Sequence, residues 1–272
     1  MEGARSIVCL GTKDGAVIWK KDETFDPTGK HKFNDYSAST PAVDEDHVYV
    51  AWSTPKVVLQ ACDHDGNEVW RKELGEFFAN HGSAMSPVVS QGKVPHGLTC
   101  LEIDSGKVLW EHDPGFTLRC VGKPTICGDY VFASGGNGGG RRESTCINMK
   151  DGKPAETFSK SKHVPYVPSG VSRGGHMFLL NDGGQMTCIN PEDGEELWYE
   201  RVTGEAYASP IIIDDKIYCF SREGEMVALA AKDEMVVLGK HDFGDGIFAT
   251  PAVADGKMYV RTFNRLISIG KK

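Results

Sequence analysis

The fold is decided by the stretch Cys188-Ile189-Asn190-Pro191-Glu192-Asp193-Gly194-Glu195-Glu196-Leu197-Trp198, in which a glycine is followed four residues later by a tryptophan. The same spacing recurs at Gly15 and Trp19, Gly66 and Trp70, and Gly106 and Trp110. A second motif, a small or hydroxyl residue before proline, alternates with it at Thr40-Pro41, Ser86-Pro87, Ser209-Pro210 and Thr250-Pro251. A period of about 40 residues indicates a repeat architecture of blades or stacked units.

Each repeat contains four short runs rich in β-branched and aromatic residues. In the clearest copy these runs cover residues 209–213, 216–220, 226–229 and 236–238, with turns between them. Such runs are typical of β-strands, and no window shows a sustained helical period. Four antiparallel strands repeated around a ring describe a β-propeller. We therefore predict an all-β fold, a single propeller domain over residues 1–272, with strands A to D in each blade from the centre outward.

The number of blades depends on where the chain enters and leaves the repeat. Strand A copies are expected to start near Thr40, Ser86, Lys123, Pro168, Ser209 and Thr250. Strand D copies are expected to end near Trp19, Trp70, Trp110, Phe158, Trp198 and Val237. The chain opens on strands C and D and closes on A, B and C, so both ends supply a strand C. Two alternatives follow, six blades with a spare strand or seven with an incomplete first blade, and in both the N- and C-terminal strands close the ring.

One blade is irregular. The copy that starts at Ser86 is about five residues short between Lys93 and Leu98, and its Pro95 cannot donate to a strand ladder. The sequence therefore predicts a cropped or rearranged B–C hairpin there.

Composition limits the possible functions. The chain is 40% hydrophobic and 25% charged, which is ordinary for a soluble domain, and no stretch reaches the ~20 apolar residues of a membrane helix. Its net charge of -8 disfavours a nucleic-acid groove, which needs clustered Lys and Arg. Residues 1–6 lack the apolar core of a secretory signal but lead directly into a repeat element, so we expect the natural chain to begin earlier.

Residues 100–110 and 188–198 resemble the tryptophan-docking motif of the PQQ-like, or quinoprotein alcohol dehydrogenase-like, β-propeller repeat family. Segments 181–184 and 261–270 resemble the last blades of a bacterial, often extracytoplasmic, branch that usually has seven blades. The resemblance implies one of two roles. Some members are dehydrogenases that carry pyrroloquinoline quinone and calcium, whereas many are binding scaffolds without a cofactor, including the propeller lipoprotein of the outer-membrane β-barrel assembly machinery. It favours seven blades and an extracytoplasmic location.

The eight cysteines are not expected to form a disulfide framework. Cys9, Cys100, Cys146 and Cys188 all lie six residues before the repeat glycine, at a position that holds small side chains in other copies. Equivalent positions on packed sheets stand about 10 Å apart, whereas a disulfide requires Cα atoms within about 7 Å. We predict buried free thiols at these positions. For Cys120 and Cys127, which flank the start of one blade, pairing stays open as an alternative.

Quinone-dependent catalysis makes specific demands on a sequence. It requires calcium held by carboxylate and amide oxygens, with an Asp base beside it, and Asn181, Asp182, Glu223 and Asn264 offer such oxygens. The chain has no adjacent cysteine pair of the kind found in the family's alcohol dehydrogenases, and no Cys-x-x-Cys-His haem attachment. We therefore predict no catalytic residue, no metal site and no cofactor. A PQQ- and calcium-dependent dehydrogenase remains the alternative.

A binding surface is expected on the face formed by the D–A and B–C loops, because loops vary while rigid blades hold them in place. Tyr and Arg, which often anchor interfaces, are prominent there. We predict a monomeric, non-catalytic scaffold that binds a protein or other macromolecular partner on this face. A carbohydrate-binding propeller that uses Tyr36, Tyr166 and Tyr207 is a further alternative. The predicted binding residues are Asn34, Tyr36, Asn80, His81, Arg119, Tyr166, Asn181, Asp182, Tyr207, Arg222, Arg261 and Asn264.

Overall fold

The computed structural model describes residues 3–25, 27, 36, 39–52, 56–76, 86–89, 93–96 and 98–270. These residues form antiparallel β-sheets joined by turns and loops, and none of them is helical. The chain divides into two compact units, Met1–His112 and Asp113–Lys272. The expectation of a single domain over residues 1–272 stays a prediction.

The first unit contains three sheets, each built from consecutive strands. A two-stranded sheet, β1 and β2, is followed by a four-stranded sheet, β3 to β6, and a three-stranded sheet, β7 to β9. Their bounds are β1 (Gly3–Leu10), β2 (Val17–Phe25), β3 (Ala42–Val43), β4 (His47–Trp52), β5 (Lys56–Asp63), β6 (Glu68–Glu76), β7 (Lys93–His96), β8 (Thr99–Glu102) and β9 (Val108–Glu111).

The second unit contains three four-stranded sheets and one three-stranded sheet, again in sequential order. Their bounds are β10 (Thr125–Cys127), β11 (Tyr130–Gly136), β12 (Arg142–Asn148), β13 (Ala155–Lys160), β14 (Val171–Arg173), β15 (His176–Leu180), β16 (Gln185–Ile189), β17 (Glu196–Arg201), β18 (Ile211–Ile213), β19 (Lys216–Phe220), β20 (Glu225–Ala230), β21 (Val237–Asp242), β22 (Ala252–Ala254), β23 (Lys257–Arg261) and β24 (Leu266–Gly270).

The hydrophobic core of each unit lies between consecutive sheets. Phe178 and Leu180 of β15, for example, are fully buried against Ile217 and Cys219 of β19 in the next sheet. The inner strands are buried on both faces, as the burial of residues 177–180 shows. Sheets that pack face to face in chain order are the blade arrangement of a propeller. The predicted all-β fold of four-stranded antiparallel sheets is thus confirmed.

Two expectations about blade number and closure need correction. Within the described ranges four sheets contain four strands, two contain three and one contains two, so the prediction of six or seven four-stranded blades is wrong. The predicted closing blade is also not formed among the described strands, because β2 pairs with β1 and β24 pairs with β23. Both chain ends supply a strand C, so each terminal sheet consists of strands from its own end.

The position of the tryptophans within strand D also differs from expectation. Trp70 and Trp198 are the third residues of β6 and β17, and both strands continue beyond them. Most of the additional residues are charged and exposed, apart from the partly buried Leu74 and Tyr199. The cropped B–C hairpin is confirmed, since β7 and β8 form a short hairpin in which Pro95 lies opposite Cys100.

The repeat glycines and aromatics meet in what we call the docking seam, formed by the pairs Trp19 and Gly66, Trp70 and Gly106, and Phe158 and Gly194. Each glycine has a positive φ, and an added Cβ would lie 2.6 to 2.8 Å from a ring atom of the aromatic residue in the preceding sheet. The indole N–H groups of Trp19 and Trp70 donate to the carbonyl oxygens of His64 and Ile103, at 2.8 and 2.6 Å. The Gly-to-Trp spacing therefore encodes contacts between neighbouring blades.

The hydroxyl residues before proline join neighbouring blades in a second way. The Oγ of Ser209 accepts a hydrogen bond from the backbone N–H of Ser169, and the Oγ1 of Thr250 accepts one from the N–H of Ser209, each at 2.9 Å. Ser169 in turn accepts from Lys123, also at 2.9 Å. A hydroxyl is needed at this position because it satisfies a backbone donor of the preceding blade.

All eight cysteines are free, as predicted for the repeat positions, so Cys120 and Cys127 do not pair. Cys100, Cys146 and Cys188 lie directly across the strand ladder from Trp110, Phe158 and Trp198. The position needs a small side chain because a large aromatic ring is its cross-strand neighbour. Burial raises the pKa of the Cys146 and Cys188 thiols to about 12.

Candidate functional site

The B–C loops of the second unit share one backbone frame. The backbone N–H groups of Asn181 and Ser221, at the first loop position, donate to the carbonyl oxygens four residues later, both at 2.8 Å. In the next blade the N–H of Thr262 donates to Arg265, three residues later, at 2.9 Å, so that loop is one residue shorter. The second loop position is then occupied by an acid, a base and an aromatic residue in successive blades, namely Asp182, Arg222 and Phe263. The frame repeats while its side-chain chemistry changes, which is typical of binding loops on a rigid scaffold.

Each of these loops is bonded to a neighbouring D–A loop. Ala206 donates its N–H to the carbonyl of Asp182 at 3.0 Å, Arg222 donates to Glu205 at 2.7 Å, and Phe263 donates to Gly246 at 3.0 Å. We call the resulting surface the loop face. It consists of the D–A loops 113–124, 161–170, 202–210 and 243–251 and the B–C loops 137–141, 181–184, 221–224 and 262–265.

Two glycines permit this close contact between loops. Gly184 and Gly224 end their B–C loops with φ of +83° and +105°. A Cβ on Gly184 would fall on the carbonyl oxygens of Thr203 and Gly204, and one on Gly224 would fall on that of Asp245. A side chain at either position would push the loops apart, so both positions need glycine.

Asp182 organises one part of the loop face. Its carboxylate accepts the backbone N–H groups of Tyr166 and Val167 at 3.2 and 3.1 Å and forms an ion pair with Arg142 at 3.2 Å. The ring of Tyr166 lies beneath two guanidinium groups, with the Cζ atoms of Arg119 and Arg142 5.4 and 5.2 Å from its centroid. Three of the predicted residues, Arg119, Tyr166 and Asp182, are thus brought together.

A second part of the loop face, the aromatic patch, consists of Tyr207, Arg222, Phe248 and Phe263. The guanidinium of Arg222 lies 4.6 Å from the ring centroid of Tyr207 and 5.1 Å from that of Phe248, and it pairs with the carboxylate of Glu205. The rings of Phe248 and Phe263 are 4.9 Å apart. Phe263 is nevertheless 64% exposed. The patch is therefore three aromatic rings held around one arginine, with Phe263 open to solvent.

The remaining predicted residues have other surroundings. Asn181 bonds within its own turn, and Asn264 donates its side-chain N–H to Asp245 at 3.1 Å. Arg261 is exposed at the end of β23, and Tyr36 of the first unit packs 4.8 Å from the ring of Phe25. Asn34, Asn80 and His81 lie outside the described residues.

Sequence reasoning missed Arg142, Phe248 and Phe263 as members of the site. Phe248 precedes Thr250 by two residues, just as Tyr207 precedes Ser209, so alignment of the repeats contained the signal for it. Phe263 occupies the same loop position in its blade as Arg222 does in the preceding blade, so alignment of the repeats contained a signal for Phe263 as well. Arg142 begins β12 and reaches Asp182 across 40 residues of sequence, and no local pattern predicts that contact.

A cavity of about 320 Å³ opens beside Asp182 on the loop face. His163 forms part of its wall, stacked on Tyr199 with centroids 3.8 Å apart and with Nδ1 2.9 Å from a carboxylate oxygen of Glu196. Burial alone would raise the pKa of Glu196, but hydrogen bonds from Lys160 and His163 outweigh burial and lower the pKa. The cavity is lined by Gly140, Arg142, Ser161, Lys162, His163, Val164, Asn181, Asp182, Gly183 and Gln185.

Two of the four side chains proposed for a calcium and quinone site, Asn181 and Asp182, already accept hydrogen bonds from N–H donors. Asp182 accepts from two backbone N–H groups and Arg142, while the Oδ1 of Asn181 accepts from Gly183 and Gln185 at 3.0 and 3.1 Å. In the described part of the chain, no group of three or more His, Cys, Asp or Glu side chains is placed to hold a metal ion. Because calcium requires several free oxygens, Asn181 and Asp182 would have to break these hydrogen bonds to bind it.

Comparison with known proteins places the chain in a family. The family profile described as "Outer membrane protein assembly factor BamB" matches residues 2–168 and 155–237. The chain belongs to this PQQ-like propeller family. One curated relative, the outer membrane protein assembly factor BamB of Shewanella oneidensis, is 23% identical over 232 residues, which cover 74% of this chain and 56% of the relative. The chain thus spans just over half the length of that family member.

Solved structures agree on the fold. BamB from Moraxella catarrhalis superimposes with a TM-score of 0.61 at 12% identity, covering 95% of this chain and 89% of that chain. A quinohemoprotein alcohol dehydrogenase from Comamonas testosteroni superimposes with a TM-score of 0.57 at 13% identity, covering 85% and 52%. BamB and this dehydrogenase therefore share the fold of the chain, and the fold alone does not give its function. No candidate membrane-spanning helix occurs among the described residues.

Proposed function

We propose that this chain is a non-catalytic propeller scaffold that acts in outer membrane protein assembly and binds a protein partner through the loop face of its second unit. The proposal includes an extracytoplasmic location. Membership of the assembly-factor family supports the role. The aromatic patch is the observation that supports the binding surface.

The aromatic patch has the properties of an interface anchor. Phe263 is 64% exposed, yet its ring packs against Phe248, and its backbone is bonded to Gly246 at 3.0 Å. A fixed, exposed aromatic side chain beside an arginine can be buried by a partner with little loss of side-chain entropy. The ion pair between Arg222 and Glu205 adds polar groups at the edge of the patch, as the rim of an interface usually does.

The two alternative functions have less structural support. Two of the four side chains proposed for calcium, Asn181 and Asp182, already accept hydrogen bonds from the protein. A sugar platform requires an open aromatic face, but Tyr166 is only 9% exposed and lies beneath Arg119 and Arg142. Neither a quinone site nor a carbohydrate site therefore explains the loop face as well as a protein partner does.

Site-specific photo-crosslinking in the native host tests this proposal. A photoreactive phenylalanine analogue at Phe263 is expected to crosslink to a protein of the outer-membrane assembly apparatus, identified by mass spectrometry. The matched control places the same analogue at Leu238, which is 49% exposed on the outer strand β21. Crosslinks from Leu238 but not from Phe263 would contradict the proposed face.

Charge reversal provides a second test of the same surface. Arg222→Glu is expected to weaken partner capture about 30-fold or more, because interface anchors contribute about 2 kcal/mol or more. Lys232→Glu, an equal change of charge in the turn that follows β20, is the matched control and is expected to leave capture unchanged. Equal losses in the two variants would contradict a role for the loop face.

A further inference from the structure

We propose that the cavity beside Asp182 binds a carboxylate of the protein partner, an Asp or Glu side chain or a chain end, as a polar subsite next to the aromatic patch. This inference rests on the function proposed above and specifies the chemistry of the partner at one position. Its basis is the supply of hydrogen-bond donors and acceptors around the cavity.

Two acceptor groups of the cavity wall, the carboxylate of Asp182 and the Oδ1 of Asn181, are already used by the protein. The Asp182 carboxylate accepts from Arg142 and from the backbone N–H groups of Tyr166 and Val167. The Oδ1 of Asn181 accepts from the backbone N–H groups of Gly183 and Gln185 at 3.0 and 3.1 Å. A ligand that needs acceptors, such as an ammonium group, would have to displace these internal bonds.

Donors, in contrast, remain for a ligand. Because the Oδ1 of Asn181 is occupied within its turn, its amide NH₂ group is the part that a ligand can use. Lys162 is exposed at the cavity and forms no ion pair within the described part of the chain. The amide of Gln185 is also part of the lining. An anionic oxygen ligand is the natural complement of such a set of donors.

The charge balance of the cavity points the same way. Arg142 and Lys162 are the two cations of the lining, and Asp182 is its one carboxylate. Since Asp182 is paired with Arg142 at 3.2 Å, the charge of Lys162 is left uncompensated. A volume of about 320 Å³ accommodates a short acidic side chain and its adjoining backbone. The ring of His163 in the lining is already stacked on Tyr199, with centroids 3.8 Å apart.

Solution NMR of the whole ¹⁵N-labelled chain tests the subsite with defined probes. The titrants are acetyl-Ala-Glu-Ala-amide, its neutral counterpart acetyl-Ala-Gln-Ala-amide, and inorganic phosphate. We expect saturable shifts of the amides of Gly140, Lys162 and Gly183 with the Glu peptide, and roughly tenfold weaker binding of the Gln peptide, because the charge-assisted hydrogen bonds are lost.

Two variants separate the subsite from general charge effects. Lys162→Glu is expected to abolish the saturable shifts, whereas Lys232→Glu leaves them unchanged. Equal binding of the Glu and Gln peptides, binding of phosphate alone, or unchanged binding by Lys162→Glu would each overturn the inference. Crosslinking from Phe263 does not depend on the cavity. A failed titration with successful crosslinking would therefore refute the subsite alone, and failed crosslinking would refute the proposed function.

Discussion

The docking seam and the loop face hold neighbouring blades together in different ways. In the seam the same few residue types recur in each blade, an aromatic ring on a glycine with a small residue opposite the ring. On the loop face the backbone frame recurs, but equivalent positions carry Asp182, Arg222 and Phe263. Repetition therefore marks what stabilises the blades, and variation on a repeated frame marks the surface available for recognition.

The two regions also differ in the type of interaction. The seam packs large rings, with Trp70 buried and Trp19 and Phe158 partly buried, so its stability comes mainly from apolar area and packing. The loop face depends on ion pairs and hydrogen bonds whose groups are partly exposed, such as Asp182 and Arg142 with side chains 19% and 17% exposed. Polar contacts near water contribute less to folding than buried rings do. Substitutions in the seam should therefore cost more stability than substitutions on the loop face.

The largest effect is expected at Trp70, which is 8% exposed in the seam. Trp70→Ala should lower the free energy of unfolding by about 3 to 5 kcal/mol, the range for truncation of a large buried aromatic. Trp198→Ala should fall near the lower end of this range, since Trp198 is only partly buried. Chemical denaturation followed by circular dichroism measures both losses.

A matched control for the seam is Trp70→Phe. Phe158 fills the equivalent place in another blade, so phenylalanine should keep the ring contact and lose only the hydrogen bond to Ile103, worth about 1 kcal/mol. A loss below about 1 kcal/mol for Trp70→Ala would show that the docking assignment is wrong.

An intermediate effect is expected at Asp182 on the loop face. Asp182→Ala removes the acceptor of Arg142 and of two backbone N–H groups, and should cost about 1 to 3 kcal/mol. Asp182→Asn keeps an oxygen acceptor and should cost less. If Asp182→Ala cost as much as Trp70→Ala in the same denaturation experiment, the contrast between the two regions would fail.

A smaller effect is expected from the hydroxyls before proline. Ser209→Ala removes the acceptor of the Ser169 N–H and should cost about 1 kcal/mol. Ser209→Thr keeps the hydroxyl and adopts the residue that Thr250 has in the next blade, so it should be close to neutral. Equal unfolding energies for the Ala and Thr variants would mean that the hydroxyl does not join the blades.

The smallest effect is a pH dependence of stability that comes from the buried thiols of Cys146 and Cys188. Burial raises the pKa of Cys146 and Cys188 to about 12, so the unfolded chain loses these protons at lower pH than the folded chain does. The contribution of each buried thiol to folding stability is complete at pH values below the unfolded pKa near 9 and is lost as pH rises from there towards 12. Each thiol should lower the free energy of unfolding by about 0.4 kcal/mol at pH 9 relative to pH 7. Denaturation at pH 7 and pH 9 measures this loss, and Cys146→Ala with Cys188→Ala should reduce it. An unchanged pH dependence in that double variant would show that other groups cause it.

The strand pattern and the seam were predictable because both depend on local and repeated signals. Alternating apolar runs specify strands such as β19 and β20. The four-residue spacing of Gly194 and Trp198 recurs in other blades and marks the glycine and the ring that take part in contacts between blades. Blade number and closure were not predictable in the same way. Whether residues 86–89 pair as a strand, and whether the two ends share a sheet, depends on hydrogen bonds between segments far apart in the chain.

The candidate site was predicted only in part, for the same reason. The repeat placed Tyr166, Asp182, Tyr207 and Arg222 on one set of loops, and the structure brings each into a cluster with another predicted residue or with a residue that was missed. The partners of these residues depend on backbone positions in neighbouring blades. Arg142 is one such partner, because its contact with Asp182 spans 40 residues.

The sequence by itself determined the strands, the family and the repeated contacts between blades, since period, glycine spacing and small-residue positions are local properties that recur in each copy. Only the tertiary structure decided which side chains meet on the loop face, which of their polar groups are left for a ligand, and how many sheets are complete. Those features depend on the distance and orientation between segments of successive blades, and side-chain contacts there form only after the backbone frame has been set by packing of the sheets.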